Sequence, residues 1–201
     1  MTKLKYSIIY ADPAWKYRDK AAAGKRGCEF KYSVMDDDDI CALPVKDWVA
    51  DDAVLILWAT WPKLFEALQV INAWGFKYKT CAFLWVKLNP LALDWKKFLK
   101  KYCTVAGLKR LITVDAFFLG MGNWTRANTE FALLAVRGKP KRQSARVRQL
   151  VIDVRREHSR KPDEVRDRIV ELCGDVPRLE MFARTSAPGW DVWGNEVEKF
   201  D

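Results

Sequence analysis

Apolar residues occur along this chain in short continuous runs separated by polar turns. Tyr6–Tyr10, Ala53–Trp58, Thr80–Val86, Phe131–Val136, Leu150–Val154 and Leu179–Ala183 read as strands of a buried sheet. Ala53–Trp58, apolar without a break, fits a central parallel strand. Two stretches between the strands carry helical spacing. After Thr60-Trp61-Pro62, residues Leu64, Leu68 and Ile71 share a face, joined by Phe65, and Gly75 stops the helix. Pro162 to Cys173 forms another, with Val165, Ile169 and Leu172 on one face and Gly174 closing it. Asp36 to Asp39 place acids in the first turn of a short helix. Asp94 to Tyr102 reads as a basic amphipathic helix, and a tail rich in Gly and Trp ends the chain. Strand, helix, strand is the repeating unit of an α/β sheet, and 201 residues fit one domain, 1–201.

The first strand runs directly into Asp12-Pro13-Ala14-Trp15. Ligands in open α/β sheets bind beyond the carboxyl ends of strands. A carboxylate, a proline-restrained carbonyl and an indole at that edge could hold a planar ring bearing an amine, such as adenine. Asp12 would accept one amino hydrogen, the Pro13 carbonyl the other, and Trp15 would stack on the ring. Taken alone, Asp-Pro is equally an ordinary strand-end turn.

Three later segments carry candidate chemistry. In Ser159-Arg160-Lys161-Pro162, a helix starting at Pro162 puts Lys161 at the N-cap. Lysine has no acceptor and faces the positive helix end, so it suggests another use, such as contact with a carboxylate or a cofactor hydroxyl. Neighbouring His158 reads as structural. Arg184 leaves a strand end, and Asn195 and Glu196 supply groups suited to a ribose-bearing cofactor. Trp124, Arg126 and Asn128 lie in a polar segment before an apolar strand, placed to line a pocket or touch a nucleic acid.

Charge narrows the partners. The net charge is +9, which favours a polyanion. Basic residues crowd after the Asp-Pro motif, over Lys96–Arg110, and in the loop holding Lys139, Lys141 and Arg142. Five scattered cysteines without a CxxC, and one histidine, read as reduced thiols in a cytoplasmic protein with no metal site. No apolar run is long enough to cross a membrane, and the start leaves no room for a signal peptide.

Ala11-Asp12-Pro13-Ala14-Trp15, Leu84-Trp85-Val86-Lys87, Trp124 to Glu130, and His158 through Asn195 together resemble the MT-A70 family of adenine-N6 methyltransferases, its smaller phage and bacterial members most. The resemblance implies a Rossmann-like α/β methyltransferase fold, with a mostly parallel sheet flanked by helices and permuted motif order. It implies S-adenosylmethionine as cofactor, held by Asp12, Lys161, Arg184, Asn195 and Glu196. Asp12 and Pro13 would bind the target amine, Trp15 would shape the base pocket, and Tyr32 to Met35 would cover the target adenosine. The family's usual motif is Asp-Pro-Pro-Trp; Ala14 replaces its second proline and removes one backbone restraint. Residues 90–113 stand outside the family pattern as a basic insertion. The expected partner is nucleic acid, DNA before RNA, with Lys139, Lys141 and Arg142 among its contacts and the protein a monomer or homodimer. The alternatives are an inactive nucleic-acid-binding partner of the same fold and a small-molecule methyltransferase.

Overall fold

The computed structural model describes residues 5–17, 34–90, 117–120, 124–156, 160–195 and 197. Tyr32, His158, Ser159, Glu196, the 94–102 helix and nearly all of the 90–113 insertion lie outside the described residues. Among the described residues seven strands form: β1 (Tyr6–Ala11), β2 (Val49–Ala59), β3 (Lys77–Leu88), β4 (Thr129–Arg137), β5 (Leu150–Val154), β6 (Arg178–Met181) and β7 (Asp191–Trp193). Helices α1 (Asp37–Ala42), α2 (Val45–Trp48), α3 (Leu64–Ala73) and α4 (Glu164–Cys173) lie between them.

The strands form one sheet in the order β5-β3-β4-β2-β1-β6-β7. β1 pairs in parallel with β2 and with β6, β3 with β5, and β6 with β7. β4 alone among the described strands runs the other way, antiparallel to both β2 and β3. The expected α/β sheet, mostly parallel, is therefore present with one reversed strand near its middle. β2 is parallel on its β1 side only.

Alternate residues of the inner strands feed two cores because a strand's side chains point to opposite faces. On one face Ile9, Ala11, Leu55, Leu57 and Ala59 meet Val70, Ile71 and Trp74 of the α3 segment. On the other, Ile8, Tyr10, Val54, Ile56 and Trp58 meet Val165 and Ile169 of α4 and Trp190. Burial on both faces is why these strands are apolar without alternation.

Several elements differ from the sequence reading. Pro62 sits in a 3₁₀ turn, Trp61–Lys63, that precedes α3. α3 buries Ala67, Val70 and Ile71, whereas Phe65 is 78 % exposed instead of joining the apolar face. Gly75 and Gly174 stop their helices with φ of +81° and +93°, which glycine reaches without strain. The last predicted strand ends at Met181, since Phe182 turns to φ +61°. The tail then returns as β7 beside β6, a strand too short to leave a periodic signal.

Candidate active site

The carboxyl ends of β1 and β2 open on the same edge. Asp12 follows β1, its backbone N–H donating to the Met181 carbonyl at 3.4 Å. The chain then tightens: the Trp15 N–H donates to the Pro13 carbonyl at 2.9 Å. This closes a three-residue γ-turn centred on Ala14. Met35 donates its N–H to the Ala14 carbonyl at 3.1 Å, and Trp15 and Met35 pair as a short parallel bridge. Trp15 is buried, 3 % exposed, and its indole N–H donates to the Trp58 carbonyl at 3.1 Å. It is thus a wall of the site rather than an open stacking platform.

Lys161 is not the N-cap of α4. The helix begins at Glu164 behind Asp163, and a turn closed by the Val165 N–H on the Pro162 carbonyl precedes it. Freed from the helix, Lys161 reaches Asp12 Oδ2 at 2.6 Å and Glu130 Oε2 at 3.5 Å. Contact of Lys161 with a carboxylate was the expected use of a poor cap.

Glu130 was not singled out as a site residue. It is the second residue of β4, opposite Trp85, and takes a second ion pair from Lys87. Lys87, Glu130, Lys161 and Asp12 therefore form an alternating row of charges, with side chains 15, 17, 11 and 24 % exposed. Indole faces back both cations: Lys87 Nζ lies 4.9 Å from the Trp85 ring centroid and Lys161 Nζ 5.5 Å from that of Trp58. Burial pushes the Glu130 carboxyl up, but Lys161 and Lys87 outweigh it and hold the group below its usual range. Burial also raises Asp12; Lys161 opposes this, Glu130 reinforces it, and the net direction is upward. Burial lowers the Lys161 ammonium, but Asp12 and Glu130 more than reverse that.

A second buried pair stands behind Asp12. Arg166 on α4 grips Glu180 on β6 through two bonds of 2.6 and 2.9 Å and donates to Thr185 Oγ1 at 3.1 Å. Tyr10 and Trp58 are joined below by the indole N–H donating to the phenol at 2.8 Å.

Two cavities meet at this edge. One is lined by Tyr10, Asp12, Lys161, Glu180, Phe182 and Arg184 among others. The other is lined by Asp12, Pro13, Ala14, Trp15, Tyr17, Ala59, Thr60, Glu130, Lys161 and Arg184. Asp12, Lys161 and Arg184 belong to both. Thr60 and Tyr17 join by their hydroxyls at 2.7 Å on the second cavity's rim.

The structure gathers only some of the expected site residues. Asp12, Pro13, Trp15, Lys161 and Arg184 come together. Asn195 is exposed just past β7. Asn128 lies at the same edge as Asp12, its carbonyl accepting from the Lys87 N–H at 2.9 Å. Arg126 is exposed two residues earlier and Trp124 is fully exposed. Lys139, Lys141 and Arg142 stand elsewhere. β4 starts at Thr129, next to Glu130 beside Lys161, and ends at Arg137, paired with Ala53 toward the far end of β2. The Lys139 N–H then donates to Asp52 Oδ1 at 2.7 Å, and the Gln143 N–H reaches the Leu172 carbonyl at the end of α4. A strand of that length carries the basic loop about 25 Å from Asp12, to the opposite edge of the sheet. The reversal of β4 therefore sets the basic loop apart from Asp12, so any contact it makes with a nucleic acid lies away from the two cavities.

Among the described residues no helix is long and apolar enough to cross a membrane, and no group of His, Cys, Asp and Glu could hold a metal. A family model described as MT-A70 matches residues 6–103 and 101–196. The Type II methyltransferase M.MunI of Mycoplasma sp is 31 % identical over 98 % of this chain and 80 % of its own length. The human N(6)-adenosine-methyltransferase catalytic subunit METTL3 is 26 % identical over 96 % of this chain, which spans only 28 % of that protein. The MT-A70-like N(6)-adenosine-methyltransferase of Arabidopsis thaliana is 25 % identical over 96 % of this chain and 24 % of its own length. With a family match over most of its length, this α/β chain belongs to the MT-A70 family of methyltransferases.

Proposed function

We propose that the chain transfers a methyl group from S-adenosylmethionine to the N6 amine of adenine in nucleic acid, DNA in preference to RNA. The observation that carries this reading is the meeting of two cavities at Asp12, Lys161 and Arg184. A methyl donor and an acceptor each need a place, and the reacting atoms must meet between them.

The first cavity suits the cofactor by its donor set. S-adenosylmethionine carries a carboxylate, an ammonium, a sulfonium and ribose hydroxyls. Lys161 and Arg184 match the carboxylate, Asp12 and Glu180 offer acceptors, and Phe182 supplies an apolar surface. Asn195, and Glu196 beyond the described residues, complete the proposed binding set. When bound, the cofactor supplies the electrophilic methyl group.

The second cavity takes the adenine. Asp12 accepts one amino hydrogen. The Pro13 carbonyl already accepts from Trp15 and keeps a second lone pair for the other. Trp15 walls the ring; Tyr32, which the family resemblance assigns to covering the nucleoside, lies outside the described residues. Such donors and acceptors work mainly by positioning and electrostatics. Adenine inside a duplex must leave the stack to reach this depth. Arg126, Asn128 and Trp124 lie on the approach and would meet the strand. The preference for DNA rests on similarity to M.MunI, which has the highest identity and the fullest mutual coverage of the three relatives named. Three basic clusters in the sequence favour a polymer over a small substrate.

The test is incubation with methyl-labelled S-adenosylmethionine and separate pools of duplex DNA, single-stranded DNA and RNA, followed by digestion to nucleosides. Label in N6-methyldeoxyadenosine is expected. Label in N6-methyladenosine would overturn the DNA preference, and no label in either would overturn the activity.

A further inference from the structure

We propose that Trp61 is a stacking platform for the base next to the target adenine, an inference that rests on the adenine-transfer reading. Trp61 directly follows Thr60, which lines the acceptor cavity. Its indole N–H donates to Thr129 Oγ1 at 3.1 Å, and Thr129 precedes Glu130. The ring lies 4.6 Å from buried Phe131 at 52°. Despite these contacts, 55 % of Trp61 remains exposed. It is a large aromatic fixed on one side and open on the other, at the rim of the cavity proposed to hold the adenine.

The surroundings limit what this surface can take. The 3₁₀ turn that carries it is anchored by Lys63, buried to 4 %, whose Nζ lies 2.7 Å from Asp37 and 3.6 Å from Glu66. The ring therefore has little freedom left to lose on binding. Its one donor is spent on Thr129, so the open side is a π face without hydrogen-bonding groups. Such a face stacks any base without reading its edge. Phe65, one turn on and 78 % exposed, lines a different groove together with Asp36, Asp37, Asp38 and Asp39. With Glu66, those acids outnumber the groove's Lys16 and Lys63, so the groove disfavours phosphates, which leaves Trp61 as the platform. A strand with its adenine in the cavity loses stacking on the neighbouring base, and Trp61 restores it.

The test uses short single-stranded oligodeoxynucleotides and matching oligoribonucleotides with randomised flanks, each holding adenine beside 2-aminopurine. Binding to the wild-type protein should quench the 2-aminopurine. Trp61→Leu keeps an apolar contact with Phe131 and should abolish the quench, raise KM about tenfold and leave kcat unchanged. Trp61→Phe should recover most of both. Thr129→Val, which loosens the ring without removing it, should weaken the quench and guards against a Leu variant that fails to fold. Unchanged quench and KM in these variants would overturn the platform, as would a fall in kcat alone. Quenching that depends on Trp61 without methyl transfer would retain the platform and overturn the transfer reading. Transfer without quenching would do the reverse.

Discussion

Lys161 Nζ lies 2.6 Å from Asp12 Oδ2, across 149 residues of sequence. The contact joins the two segments that carry the site, one after the first strand and one before the last helix. Lys161 also leans on Glu130, so the acid at the mouth of both cavities is held by a cation that is itself held.

Asp12→Ala should abolish methyl transfer with the fold intact. The carboxylate lines both cavities and, in the proposed reaction, would accept an amino hydrogen; loss of one such group costs on the order of 10²–10³ in rate. Near-wild-type turnover in a labelled-methyl assay would remove Asp12 from the chemistry.

Glu130→Gln should destabilise the protein by about 3 kcal/mol, because Lys87 and Lys161 then lose their shared partner in a largely buried place. The effect has a defined pH course. The folded-state pKa of Glu130 lies below the usual 4.5. Its stabilisation is therefore complete above that value and is lost as pH falls through the lowered one. Urea unfolding should show wild type and variant converging at low pH; a difference constant with pH would mean that the charge is irrelevant.

Transfer should fail on the acid side at a pH above the usual aspartate value of 3.8, because Asp12 must be ionised to accept and its pKa is raised. Lys161→Met removes the nearest cation and should move this limb to still higher pH. A kcat profile that shifts downward in the variant would contradict the pairing.

Ala14→Pro should leave activity equal or higher and raise stability by about 0.4–1 kcal/mol. The γ-turn around Ala14 is held by the Trp15 N–H, not by that of Ala14, and proline's φ suits its centre. A collapse of activity with normal folding would show that position 14 contacts a ligand through its backbone.

Charge reversal at Lys139, Lys141 and Arg142 should leave turnover on short oligonucleotides unchanged, whereas Arg126→Glu should raise KM and flatten its salt dependence. The basic loop leaves the far end of β4; Arg126 precedes the near end. Equal effects of both changes would mean that the substrate spans the sheet.

The apolar runs by themselves determined where the inner strands lie, because burial on both faces leaves an uninterrupted signal. Glycines with positive φ marked where α3 and α4 stop. The ordered motifs pointed to Asp12, Pro13, Lys161 and Arg184, which the fold brings together around one cavity. What tertiary structure alone decided was direction. A strand buried on both faces reads the same whether its neighbours run with it or against it, so nothing in Phe131–Val136 announced the reversed β4. That reversal sends the basic loop to the far edge and brings Glu130 to Lys161. The row Lys87–Glu130–Lys161–Asp12 was equally hidden, since an ion pair between distant segments leaves no periodicity in either. Trp15 and Phe65 show the same limit in opposite ways. Both are aromatic beside an apolar pattern, yet one is buried to 3 % exposure and the other left 78 % exposed, because only the packing of neighbouring elements settles which face is covered.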